Sequence, residues 1–131
     1  MNWLAKRSSI KKCVRDLSQR LMREQGALAS YSEAQVTGTI RSWRMRIRYP
    51  AYAYALFCTQ DEFVRLDPQI RLGRDYDDWR QDVSRQYPRL SSLDPREIAA
   101  FAREEWFFAQ SLSPMPFDDS FEPRGRKDGS G

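Results

Sequence analysis

The sequence contains no histidine. Imidazole is the commonest general base and the commonest metal ligand, so Ser/His and Cys/His nucleophile pairs and histidine-containing zinc sites are excluded. Cysteine is nearly as scarce. Cys13 and Cys58 are the only two, they fall in different predicted elements without CxxC spacing, and both are read as free thiols. Long apolar runs are missing as well: the longest, Ala51 to Cys58, holds eight residues, far short of a membrane span. After Lys6 and Arg7 the N-terminus continues Ser8-Ser9-Ile10-Lys11-Lys12, where a secretory signal needs an apolar stretch. The expectation is a cytoplasmic protein.

What is present describes one globular domain. With 131 residues, 40% apolar and 31% charged, the chain can bury one core but hardly two. Trp3, Ile10, Val14, Leu17, Leu21 and Leu28 recur at helical spacing and predict a helix from about Trp3 to Gln25, stopped by Gly26. Ser32 and Gln35 have the spacing of a capping box, and Val36, Ile40, Trp43 and Ile47 continue with helical period. From Arg44 to Tyr49, however, the residues also alternate as a half-exposed strand would, so a short hairpin over 44–57 stays open beside a buried helix over Ala51–Cys58. The helix is favoured, because Ala51, Ala53 and Ala55 are strong helix formers and poor strand formers.

Further along, Thr59 and Glu62 suggest a short helical turn before a break at Asp67-Pro68. Asp75 caps a helix with Tyr76, Trp79, Val83 and Tyr87 on one face, ended by Pro88. Asp94-Pro95 with Glu97 opens a last helix to about Leu112, whose inward stripe is Ile98, Phe101, Ala102, Phe108, Ala109 and Leu112. The fold class expected is mostly α, a single-domain bundle of about five helices over 1–112, with a disordered tail over 113–131.

Charge is unevenly spread. Residues 1–57 hold eleven Lys or Arg against three acids, a balance of +8, whereas 58–131 hold eleven against fifteen, a balance of −4. A basic half attracts phosphates, acidic headgroups, acidic proteins or its own acidic half. The cations of the first helix surround its stripe and read as a solvated face. Arg41, Arg44 and Arg48 form one line if the second helix continues, and Arg44, Arg46 and Arg48 line up if the segment is extended. Either arrangement suits carboxylate or phosphate, or pairing with later acids of the same chain. Asp75, Asp77, Asp78 and Asp82 carry the two readings of acidic runs, a cation site or helix-dipole and capping duty. Glu105, near the centre of the last stripe, reads as the carboxylate of a structural salt bridge to Arg41–Arg48 or as an isolated acid of raised pKa. Phe107 points away from that stripe, toward a partner or toward Phe117 or Phe121 of the tail.

The segments Tyr31-Ser32-Glu33-Ala34-Gln35-Val36, Tyr52-Ala53-Tyr54-Ala55-Leu56-Phe57-Cys58 and Asp61-Glu62-Phe63, in that order, resemble a family of short bacterial proteins of unknown function over roughly residues 5–87. The resemblance implies a bacterial cytoplasmic helical domain and carries no activity or site. The reading that follows is a non-enzymatic interaction module. No catalytic residue, cofactor or metal is expected, and Arg41, Arg44, Arg48 and Phe107 are the candidate partner-binding residues for an acidic partner, protein before nucleic acid. The alternatives are a peripheral membrane-surface protein using Trp3, Leu4 and the nearby lysines, and a small enzyme built on Glu105 and the Asp75–Asp82 carboxylates.

Overall fold

In a computed structural model, residues 2–112 are described, with side chains through residue 109. The expected tail over 113–131 lies outside the described residues. Within them the chain is helical and contains no strand.

The first helix runs as α1 (Trp3–Lys11), a π-helical segment (Lys12–Leu17) and α2 (Ser18–Gln25). Asn2 starts it, its side chain accepting from Leu4 N at 2.9 Å and Ala5 N at 3.1 Å. In the π segment the Ser18 amide reaches back to the Cys13 carbonyl, and the Ser18 hydroxyl donates to the Val14 carbonyl at 2.6 Å. That side chain satisfies a carbonyl where the ordinary i→i−4 ladder is broken. Gly26, at φ +89°, ends the helix with a backbone that L side chains rarely adopt. The buried stripe is Ile10, Cys13, Val14, Leu17 and Leu21, whereas Trp3 and Leu28, expected on it, are exposed.

The helix α3 (Glu33–Ser42) opens on the capping box of Ser32 and Gln35. It ends earlier than its apolar spacing suggests. Met45 N donates to Ile40 O and Arg44 N to Arg41 O, both at 3.0 Å, with Arg44 at φ +53°. This pair of bonds is a Schellman ending, with an arginine in the left-handed position usually held by glycine. Residues 44–50 are then neither helix nor strand, but their alternation is still expressed: Arg44, Arg46 and Arg48 face out, Met45, Ile47 and Tyr49 in.

Every residue of α4 (Ala51–Phe57) is buried, so the helix and not the hairpin forms the centre of the core. The short helices α5 (Gln60–Val64) and α6 (Pro68–Arg71) follow, capped by Thr59 and Asp67, so the expected break at Asp67-Pro68 is a helix start. Trp79 and Val83 of α7 (Tyr76–Gln86) pack on α4, Trp79 edge-on to Tyr52 with ring centroids 4.7 Å apart. Asp82, one turn from Trp79, accepts from the Tyr52 hydroxyl and from Arg74 Nη1 on the same oxygen, both at 2.8 Å. Finally α8 (Pro95–Leu112) lies along the π segment and α2.

Candidate interaction groove

The start of α8 is fixed by local chemistry. Asp94 Oδ1 accepts from Arg96 N at 2.8 Å, and Pro95 occupies the first helical position, where no amide hydrogen is needed. The Asp94 amide bonds Ser92 Oγ at 3.1 Å instead of Glu97, so the reciprocal half of the expected box is absent. Ile98, Ala99 and Ala102 are buried, and Gln19 Nε2 donates to the Ala99 carbonyl at 2.7 Å, tying α2 to α8. From Arg103 to Ala109 none of the described side chains is fully buried. Trp106, Phe107 and Phe108 are 53%, 56% and 66% exposed. Three successive helical residues span about 200° of the helix surface, so they cannot share one side.

Arg103, Trp106 and Phe107, at i, i+3 and i+4, share the side of α8 that borders the first helix. Opposite them stand Arg15 and Asp16 of the π segment and Gln19, Arg20 and Arg23 of α2, and Trp43 completes the lining. The groove between holds about 560 Å³. Among the described residues its lining carries four guanidinium groups against one carboxylate. Trp43 is held in place: the Arg20 guanidinium lies 4.2 Å from its ring centre, and its Nε1 donates to Glu24 Oε2 at 2.6 Å. Flat aromatic faces beside planar cations bind carboxylates and rings together.

Of the residues singled out from sequence, Phe107 lines this groove and Arg41, Arg44 and Arg48 do not. The three arginines are exposed, but α3 stops at Ser42, so they do not form the expected helical line. Among the described residues none of them lies within 4 Å of a carboxylate. Glu105 is half-buried and does not reach them. It lies in a second hollow with Arg15, Arg89, Phe101 and Phe108, because Phe108 and Ala109 of the stripe expected to bury it are exposed, while the Leu112 side chain lies outside those described. Among the four aspartates, Asp82 alone is buried, as the centre of ion pairs, and Asp78 accepts from the Asp75 amide at 3.1 Å. No cluster of three metal-ligating side chains occurs among the described residues.

Arg15, Arg20, Arg23, Arg103, Trp43 and Trp106 were not legible as one site in the sequence. One partial signal existed, the i, i+3, i+4 spacing of Arg103, Trp106 and Phe107 off the inward stripe. The other wall depends on α8 docking against the first helix. No helix among the described residues is long and apolar enough to cross a membrane.

A family model described as a family of unknown function, DUF6559, matches residues 1–92. The chain belongs to this family. No curated protein and no solved structure matches. The DUF6559 match takes in α1 to α7 and ends before Asp94, so the groove has one wall inside the matched region and the other, on α8, outside it.

Proposed function

We propose that the protein is a non-enzymatic interaction module whose groove takes an acidic, aromatic-bearing segment of a partner protein. The observation that carries this reading is the convergence of Arg15, Arg20, Arg23 and Arg103 on the rings of Trp43, Trp106 and Phe107. Such a lining supplies charge-assisted hydrogen bonds and apolar faces, the two ingredients of a binding hot spot. Arg41, Arg44 and Arg48, exposed on either side of Trp43 in the chain, extend the positive field beyond it and steer an acidic partner inward. A peptide suits the groove better than a nucleic-acid backbone does. Asp16 in the lining and Glu24 beside Trp43 oppose a continuous phosphate track but tolerate separate carboxylates.

The test is calorimetric titration with a synthetic Asp- and Glu-rich peptide containing Phe, and with a single-stranded DNA oligonucleotide, across a salt series. Peptide affinity is expected to fall with salt and to drop roughly tenfold in Arg23→Gln or Arg103→Gln, as loss of a charge-assisted contact does. The Arg41→Ala, Arg44→Ala, Arg48→Ala triple variant should mainly reduce the salt dependence of the affinity and, in stopped-flow mixing, the association rate. Peptide binding indifferent to Arg23 and Arg103, or tighter binding of the oligonucleotide, would remove the reading.

A further inference from the structure

Cations also gather between α1 and α7. Lys6 and Arg7 from α1 and Arg85 from α7 line a cleft of about 490 Å³ completed by Trp3, Ile10 and Gln86. The one acid among its described lining residues, Asp82, has a side chain 8% exposed and is already engaged. The Tyr52 hydroxyl and Arg74 Nη1 both reach its Oδ2 at 2.8 Å, so Arg74 offsets its charge from outside the cleft lining. Lys6 Nζ at 3.4 Å and Arg85 Nη1 at 3.8 Å approach the same carboxylate as second and third cations. Arg7 has no carboxylate within 4 Å among the described residues and lies over the Trp3 ring at 5.1 Å. Asp82 therefore meets three cations and Arg7 stands beside them unpaired with any carboxylate among the described residues, an excess of positive charge that an anion would relieve.

The donors fit a particular anion. Arg85 is 73% exposed and too far from Asp82 for a hydrogen bond, so it can turn to a ligand without breaking one. A phosphate monoester carries about −1.5 to −2 charge at neutral pH and three terminal oxygens, one for each of Lys6, Arg7 and Arg85. Trp3, 62% exposed at the rim, offers a flat face to the group esterified to it. We propose that the cleft between α1 and α7 is a binding site for a phosphate monoester. Lys6, Arg7 and Arg85 donate to the phosphoryl oxygens and Trp3 covers the attached group. The same headgroup chemistry is presented by a free phosphorylated molecule and by phosphatidic acid in a membrane surface, where Leu4, exposed beside Trp3, would meet acyl chains.

The experiment follows the backbone and arginine side-chain NMR signals of the whole protein during titration with phenyl phosphate. In parallel, co-sedimentation is measured with phosphatidylcholine vesicles with and without phosphatidic acid. Expected are saturable shifts confined to Trp3, Lys6, Arg7, Arg85, Gln86 and their immediate neighbours, binding to phosphatidic acid vesicles, or both, weakened roughly tenfold by Arg85→Gln and further by Arg7→Gln. Phenyl phosphate binding alone assigns the site to a soluble ligand, and vesicle binding alone assigns it to a lipid headgroup. The proposal is overturned if neither probe binds, if the double variant, shown folded by its melting transition, binds like wild type, or if phosphatidylcholine alone binds equally well.

Discussion

The Tyr52 hydroxyl and the Asp82 carboxylate meet at 2.8 Å in the middle of the α4–α7 contact, and Arg74 shares the same carboxylate oxygen. A buried charge survives here because it is paired and hydrogen-bonded at once. Burial works to raise the Asp82 pKa, but the hydrogen bonds from Arg74 and Tyr52 and the charges of Arg74 and Lys6 outweigh it and hold the carboxyl below the usual carboxylate range.

Removing that charge should therefore be expensive. Asp82→Asn is expected to lower stability by about 3 kcal/mol, because Arg74 and Lys6 lose their common partner, while Tyr52→Phe costs about 1 kcal/mol for one hydrogen bond. Urea unfolding of the two variants beside wild type checks the order, and equal losses would contradict it.

The same pair sets an acid response. The folded-state pKa of Asp82 lies below its unfolded value, so its contribution is fully present above about pH 4 and is lost as pH falls through the folded pKa. The stability gap between wild type and Asp82→Asn should close on acidification. A gap that stays constant from pH 7 to about pH 2 would place the stabilisation elsewhere.

Arg44 ends α3 at φ +53°, a conformation that favours glycine. Arg44→Gly is expected to raise stability by about 1 kcal/mol, since it relieves the left-handed strain at an exposed residue without a carboxylate partner among the described residues. A rise in the thermal midpoint measures it, and a fall would show that the arginine side chain holds the turn.

Although α8 lies beyond the DUF6559 match, Ile98 is fully buried against the first helix. Ile98→Ala should cost about 3 kcal/mol and loosen the groove wall. Amide exchange should then rise along α8 and at Gln19, whose side chain holds the Ala99 carbonyl. A loss under about 0.5 kcal/mol would mean that α8 is only loosely attached.

Both thiols should be inert in the folded protein. Cys13 is fully buried, and burial pushes the Cys58 thiol up to about 12, aided by Glu62 and Glu33, so little thiolate forms at neutral pH. Thiol titration with an aromatic disulfide should detect no reactive cysteine natively and two after denaturation. Rapid native reaction would contradict the packing around α4.

The sequence by itself determined where the main helices begin, because caps are local: Ser32 with Gln35, Asp75, and Asp94 with Pro95 act within one turn. It also determined the apolar stripe of α7 and, between Ile10 and Leu21, that of the first helix, and the choice of helix for Ala51–Phe57 through its alanines. Only the tertiary structure decided which residues beyond one turn meet. The Schellman ending at Arg44 cut short a helical period that otherwise ran to Ile47. Asp82 changed from one acid in a run to the centre of an ion network once Tyr52, Arg74 and Lys6 converged on it. Arg15, Arg20 and Arg23 became one wall of a groove only when α8 lay beside them. Local spacing places side chains on a face, whereas the packing of whole helices decides what that face meets.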